Sequence, residues 1–208
     1  GMEAYFTDDL TAKPSYHLVL LAKNENGYRN LLHLNYMAYQ HQVSGYMGKK
    51  TPRLSWEHLE DFGEDIFCLT ACSNGIVGKT LITNQDRPKA EAHIKRLHHI
   101  FGDRLSLEIQ PHALHDVSAR TGKEVNQVKL NQELIKYSHD MGIPYVITCD
   151  AHYRDAEAAK YHDLMLAIKD KKAFDDPERF RYGVQDMYLK TEDEIADFFG
   201  PKVAQIGM

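Results

Sequence analysis

Cysteine is scarce, basic charge is not in excess, and no long apolar run interrupts the chain. The three cysteines, Cys68, Cys72 and Cys149, are too few and too odd in number for a disulfide scaffold, and suit a reducing compartment. Lys and Arg number 25 against 30 Asp and Glu, a net charge of −5. Domains that hold nucleic acid by neutralising phosphates are usually basic, so this chain alone is expected to bind DNA weakly. Nothing approaches the roughly 18 apolar residues of a spanning helix, so no membrane partner is expected. No basic stretch followed by an apolar core opens the chain, so a secretory leader is not expected, and the location implied is cytoplasmic. The G-x-S-x-G elbow of serine hydrolases is absent. "GIVGKT" (75–80) ends like a phosphate-binding loop, but its glycines stand too close together to make one.

What remains is an ordinary globular composition, 43% apolar and 26% charged, in 208 residues. That is enough for one domain with a sizeable core. Apolar runs at 16–22, 65–71, 104–110 and 144–149 read as strands. Segments 24–40, 87–102, 122–142, 155–169 and 191–199 read as helices. Leu31, Leu34 and Ala38 form the inner stripe of the first helix; Val128, Leu134, Ile135 and Met141 form that of the third. Asp86 and Asp155 are candidate N-caps, Gly102 and Gly142 candidate stops, and Thr191 with Glu194 a capping box. Strands alternating with helices imply about four parallel βα units. The run 144–149 lacks polar alternation, as in a strand covered on both faces.

The chemistry concentrates where strands end. In "ITCDAHYRD" (147–155), Asp150 and His152 stand two apart at the carboxyl end of a strand and face the same way. In parallel βα proteins that end carries the active site. Carboxylate plus imidazole suits zinc, manganese or iron; capping of the turn by Asp150 and simple packing of His152 is the bland alternative. Cys72 occupies the equivalent place after 65–71, as a soft ligand or as a small buried hydrophobe. Cys68 and Cys149 read as core. Glu108, Gln110 and His112 either line the same mouth or, more commonly for such a pattern, form a solvated edge. His17 enters its strand at the end opposite to the one the rule favours, which alone makes it structural.

Taken in order, "GMEAYF", "YHLVLLAKNENGYRNL", "LTACSNG", "LEIQPHAL", "IPYVITCDAHY" and "DDPERFRYGVQDMYLKTEDEI" resemble the polymerase-and-histidinol-phosphatase (PHP) domain family, in the branch carried by bacterial DNA polymerase III alpha subunits. The resemblance covers nearly all of residues 1–208 as a single domain, with 170–208 as the polymerase-type carboxyl-terminal extension. It implies an α/β fold, a distorted TIM-like (βα)7 barrel. It also implies a divalent-metal phosphoesterase centre, with zinc first and manganese or iron as alternatives. Matched one at a time, the implied ligands are Glu3, His17, Cys72, Asp150 and His152, with His112 and Glu108 behind them or towards substrate. Ser73 and Cys149 depart from the residues usual beside the cysteine and aspartate motifs.

The family's opening His-x-His strand has no counterpart here, so the expectation is a barrel lacking its first βα units. The implied function is 3′–5′ exonuclease-type phosphoester hydrolysis within DNA replication, with a partial metal site and little activity in this chain. The alternatives are a non-catalytic scaffold that binds partners and a free-standing phosphatase of a small phosphate ester. The implied partners are the remainder of a replicative polymerase and DNA. Open barrel edges would further favour a homo-oligomer.

Overall fold

A computed structural model describes residues 1–11, 15–44, 50–117 and 124–208. The chain begins with strand β1 (Met2–Phe6) and, after a short loop, β2 (Tyr16–Ala22). Both alternate buried and exposed residues, the signature of a sheet with one face in the core. Helix α1 (Glu25–Gln40) starts where the Asn24 side chain accepts from the Gly27 amide, and it buries Leu31, Leu34 and Ala38 as its spacing requires. The pair β3 (Val43–Ser44) and β4 (Lys50–Thr51) leads to α2 (Trp56–Phe62) and then β5 (Ile66–Leu69).

A buried turn, α3 (Ile76–Gly78), precedes α4 (Arg87–Phe101). Asp86 caps α4 by accepting from the Lys89 amide, and Gly102 ends it at φ 57°. Strand β6 (Leu105–Ile109) follows, then the short ladder of β7 (His115–Val117) with β8 (Glu124–Asn126). Helix α5 (Gln127–Met141) is capped by Asn126 and closed by left-handed Gly142. It is followed by β9 (Tyr145–Ile147), α6 (Ala159–Asp170), α7 (Glu192–Phe199) and α8 (Pro201–Gly207). The Thr191–Glu194 capping box is formed. Asp155 caps a 3₁₀ turn, Ala156–Ala158, that feeds into α6.

The main sheet has the order β1-β2-β5-β6-β9. The two steps β1–β2 and β2–β5 are antiparallel; β5–β6 and β6–β9 are parallel. The all-parallel expectation is therefore corrected for the first half of the sheet. A short loop joins β1 to β2, and only an antiparallel partner can be reached that way. A TIM-like barrel is not formed among the described residues: they make an open, mixed five-stranded sheet.

One face of this sheet, carrying Leu18, Leu20, Cys68, Leu105, Leu107 and Ile109, packs against α1, α2, α4 and α5. Each fully buried Leu or Ile there contributes about 1.5–3 kcal/mol. The opposite face carries the cross-strand row Glu3, Val19, Leu69 and Ser106, and leaves Tyr5, Leu21 and Phe67 more than a third exposed.

Three packing expectations are also corrected. β9 is an edge strand of half-buried residues, not one covered on both faces. Cys149 is half-buried and takes a bond from the Lys190 amide through its sulfur, so it is not core. Val128 points outward at 38% exposure. The buried stripe of α5 instead includes the polar Gln127 and Asn131. Asn131 is satisfied there by the backbone N–H and C=O of Gln110, which hydrophobic periodicity cannot anticipate.

Candidate metal centre

The rim of the sheet is formed by the carboxyl ends of β5, β6 and β9. Because β2 runs antiparallel to β5, its amino end lies at this same rim. The His17 amide donates to the Asn74 carbonyl at 3.0 Å, and His17 bridges to Gly75. The end of β2 that carries His17 is thus at the rim, and the strand-end objection to His17, drawn from parallel topology, falls on strand direction. Glu3 stands on the same face, diagonal to His17, with a carboxylate oxygen 2.7 Å from His17 Nδ1.

Cys72 follows β5 in a turn held by the Gly75 amide donating to the Cys72 carbonyl at 2.7 Å. A Cβ on Gly75 would fall 2.1 Å from the Thr70 oxygen, so the turn requires glycine. Ala71, just before Cys72, and Asp150, just after β9, adopt positive φ of 58° and 44°. Non-glycine residues held in that region concentrate at functional sites. Cys72 Sγ lies 3.9 Å from His17 Nδ1. On the third loop, His152 Nδ1 stands 2.7 Å from the Asp150 carbonyl, the kind of bond that orients a ligating imidazole.

These side chains share one cavity of about 300 Å³ lined by Glu3, His17, Cys72, Asp150 and His152, with His112 and Tyr182 beside them. Its electrostatics are lopsided towards negative charge. Burial pushes the Cys72 thiol up to about 12; an Asn74 backbone bond opposes this, while the charges of Asp150, Glu108 and Glu3 add to it. Burial also raises the Glu108 carboxyl, with the Asp150 charge adding to it and bonds from Thr148 and Gln110 opposing.

Glu108 is a brace beneath the rim. It accepts from the Ala71 amide at 3.0 Å, from Gln110 Nε2 at 3.0 Å and from the Thr148 hydroxyl at 2.5 Å, tying together the ends of β5, β6 and β9. His112 bonds Gln110 at 3.1 Å and is 1% exposed. Glu108, Gln110 and His112 are all buried, so the solvated-edge alternative fails.

The donor chemistry, imidazole, thiol and carboxylate around an anionic cavity, fits a divalent ion. The donors do not surround a single point, however. Among the described residues no group of three His, Cys, Asp or Glu side chains is gathered closely enough to hold an ion. Two of the donors are engaged with neighbours instead: His17 with Glu3, and His152 with Tyr182, whose hydroxyl lies 3.3 Å from Nε2. Tyr182 lies within the 175–195 motif but outside any strand or helix, and nothing in that motif marks it as a cavity residue; the fold brings it here.

A family model described as "PHP domain" matches residues 1–112. A DNA polymerase III subunit alpha of Borreliella burgdorferi is 32% identical over 208 residues, covering 96% of this chain and 17% of that protein. The DNA polymerase III subunit alpha of Treponema pallidum is 35% identical (88% of this chain, 14% of that protein), and that of Thermus aquaticus 36% identical (86% and 13%). The chain thus spans about a seventh of the length of these curated relatives. The matched model covers more than half of the chain: this chain belongs to the PHP domain family.

Proposed function

We propose that the chain is the PHP portion of a DNA polymerase III alpha subunit, acting in DNA replication, with a partial site for a divalent cation. The observation that carries this is the convergence of Glu3, His17, Cys72, Asp150 and His152, from four separate stretches, on one anionic cavity. Zinc suits this donor mixture best, with manganese and iron as alternatives. A bound divalent ion would supply a water of lowered pKa and stabilise charge on a phosphoryl oxygen, the chemistry of 3′–5′ exonucleolytic hydrolysis. The chain's own residues have supporting tasks. Glu108 fixes the heights of the Cys72 and Asp150 loops relative to each other, and the Asp150 carbonyl holds the His152 ring in one orientation. His112, held by its bond to Gln110, lines the cavity wall.

The remainder of a replicative polymerase and DNA are the partners that the relatives suggest. The net charge of −5 argues that other parts of such a protein provide most of the grip on DNA. The experiment is zinc titration of the purified chain, followed by assay for nucleotide release from a DNA 3′ end. The proposal predicts about one zinc per chain, bound more weakly in Asp150→Ala and in His152→Ala, with slow or no release of nucleotide.

The second reading, a non-catalytic scaffold, is favoured by the absence, among the described residues, of three donors gathered about one point. Zinc-dependent nucleotide release that Asp150→Ala abolishes would exclude it. A free-standing phosphatase is favoured by no feature of the cavity.

A further inference from the structure

Both ring nitrogens of His152 have partners. A carbonyl oxygen only accepts, so the 2.7 Å contact with the Asp150 carbonyl puts the proton of the neutral ring on Nδ1. Nε2 then bears the lone pair, and the Tyr182 hydroxyl, 3.3 Å away, is placed to donate into it. That lone pair is the one with which a cation would have to bond. Resting on the metal-site reading above, we propose that Tyr182 is a reversible cap on the ligating nitrogen of His152. Cation uptake then requires the hydroxyl to leave Nε2.

The strap that carries Tyr182 is built to allow a limited excursion. Upstream, the buried Arg179 is fastened to both carboxylate oxygens of Asp163 on α6 and donates to the Phe174 carbonyl. Downstream, Met187 is held by its amide donating to the Tyr153 hydroxyl at 3.1 Å and its carbonyl accepting from the His152 amide at 2.9 Å. Between these anchors Tyr182 is held by ring contacts, stacked with His162 at 5.7 Å and edge-on to Phe180 at 5.1 Å. These contacts keep the ring in place without using the hydroxyl. A phenylalanine at 182 keeps them and loses only the cap.

Isothermal titration of zinc into the 208-residue chain tests this. Tyr182→Phe is expected to bind zinc about two- to tenfold more tightly than the parent, the worth of one displaced hydrogen bond. In a His152→Ala background the same change is expected to have no effect on whatever zinc binding remains, because the capped nitrogen is gone. Circular dichroism of each variant checks that the fold is kept. Equal or weaker binding by folded Tyr182→Phe would overturn the cap, as would an undiminished gain when His152 is absent. If the folded parent and Tyr182→Phe both fail to bind zinc, it is the metal reading that falls and the cap falls with it, an outcome distinct from two equal affinities.

Discussion

Cys72 is the residue on which the cavity's electrostatics press hardest. Burial and three nearby carboxylates raise its thiol, so a thiolate forms only when charge is compensated. Without added metal, alkylation of Cys72 by iodoacetamide at pH 8 is expected to be slow, although its loop lies at the cavity wall. Asp150→Asn removes one of the charges responsible and is expected to lower the thiol's pKa and speed the reaction. Peptide mapping of the alkylated chain measures both. Fast labelling of the parent, or no change in the variant, would contradict the charge distribution described. At this scale much was legible in the sequence. Asp150, His152 and Cys72 announce themselves by their place after apolar runs, and Asp86, Gly102 and Gly142 by their helix-end chemistry. Tyr182 was not legible, because its role depends on a long irregular strap folding back over the rim.

Among the elements, the direction of β2 decides the most. Taken as parallel, it sends His17 away from the site; antiparallel, it brings His17 and Glu3 to it. An apolar run is the same in either direction, so the sequence pattern could not distinguish them. Only the family resemblance placed His17 with the other candidate ligands, and the fold puts it in the same cavity. Helix α5 shows a related limit: Gln127 and Asn131 are polar in sequence yet buried in fact, because Asn131 pairs with a backbone strand end.

A second link holds the loop after β1 to α4. Asp8 accepts from buried His93 at 3.1 Å, from Lys89 at 2.9 Å and from the Trp56 indole at 3.1 Å. Burial alone would raise the Asp8 carboxyl. Bonds from His93 and Lys89, and then their charges, outweigh burial and hold the carboxyl well below its ordinary 3.8. As pH falls through about 3.8 the unfolded chain takes up this proton before the folded one does, so the stability from Asp8 is full above that pH and drains below it. Urea unfolding from pH 7 to pH 3 is expected to show Asp8→Asn less stable than the parent at neutral pH, with the gap narrowing in acid. A gap that stays constant would mean that the carboxylate's charge contributes nothing.

For the whole molecule, the open sheet matters most. Among the described residues β9 and the first part of β1 are edges (the end of β1 is bridged to Leu54), and the face opposite the helices exposes Tyr5, Leu21 and Phe67. Unpaired edges beside apolar surface favour pairing with another chain. Light scattering of the isolated chain is therefore expected to report a dimer or larger species, and a clean monomer at high concentration would count against it.

The same scale holds the central claim, since the five donors come from four stretches between residues 3 and 152 and meet only if the chain folds as described. Elemental analysis after equilibration with zinc and removal of excess tests it most directly. About one zinc per parent chain, with none retained by the folded Asp150→Ala/His152→Ala double variant, is the predicted result. A folded parent chain that retains no zinc, or a double variant that retains as much as the parent, would contradict it.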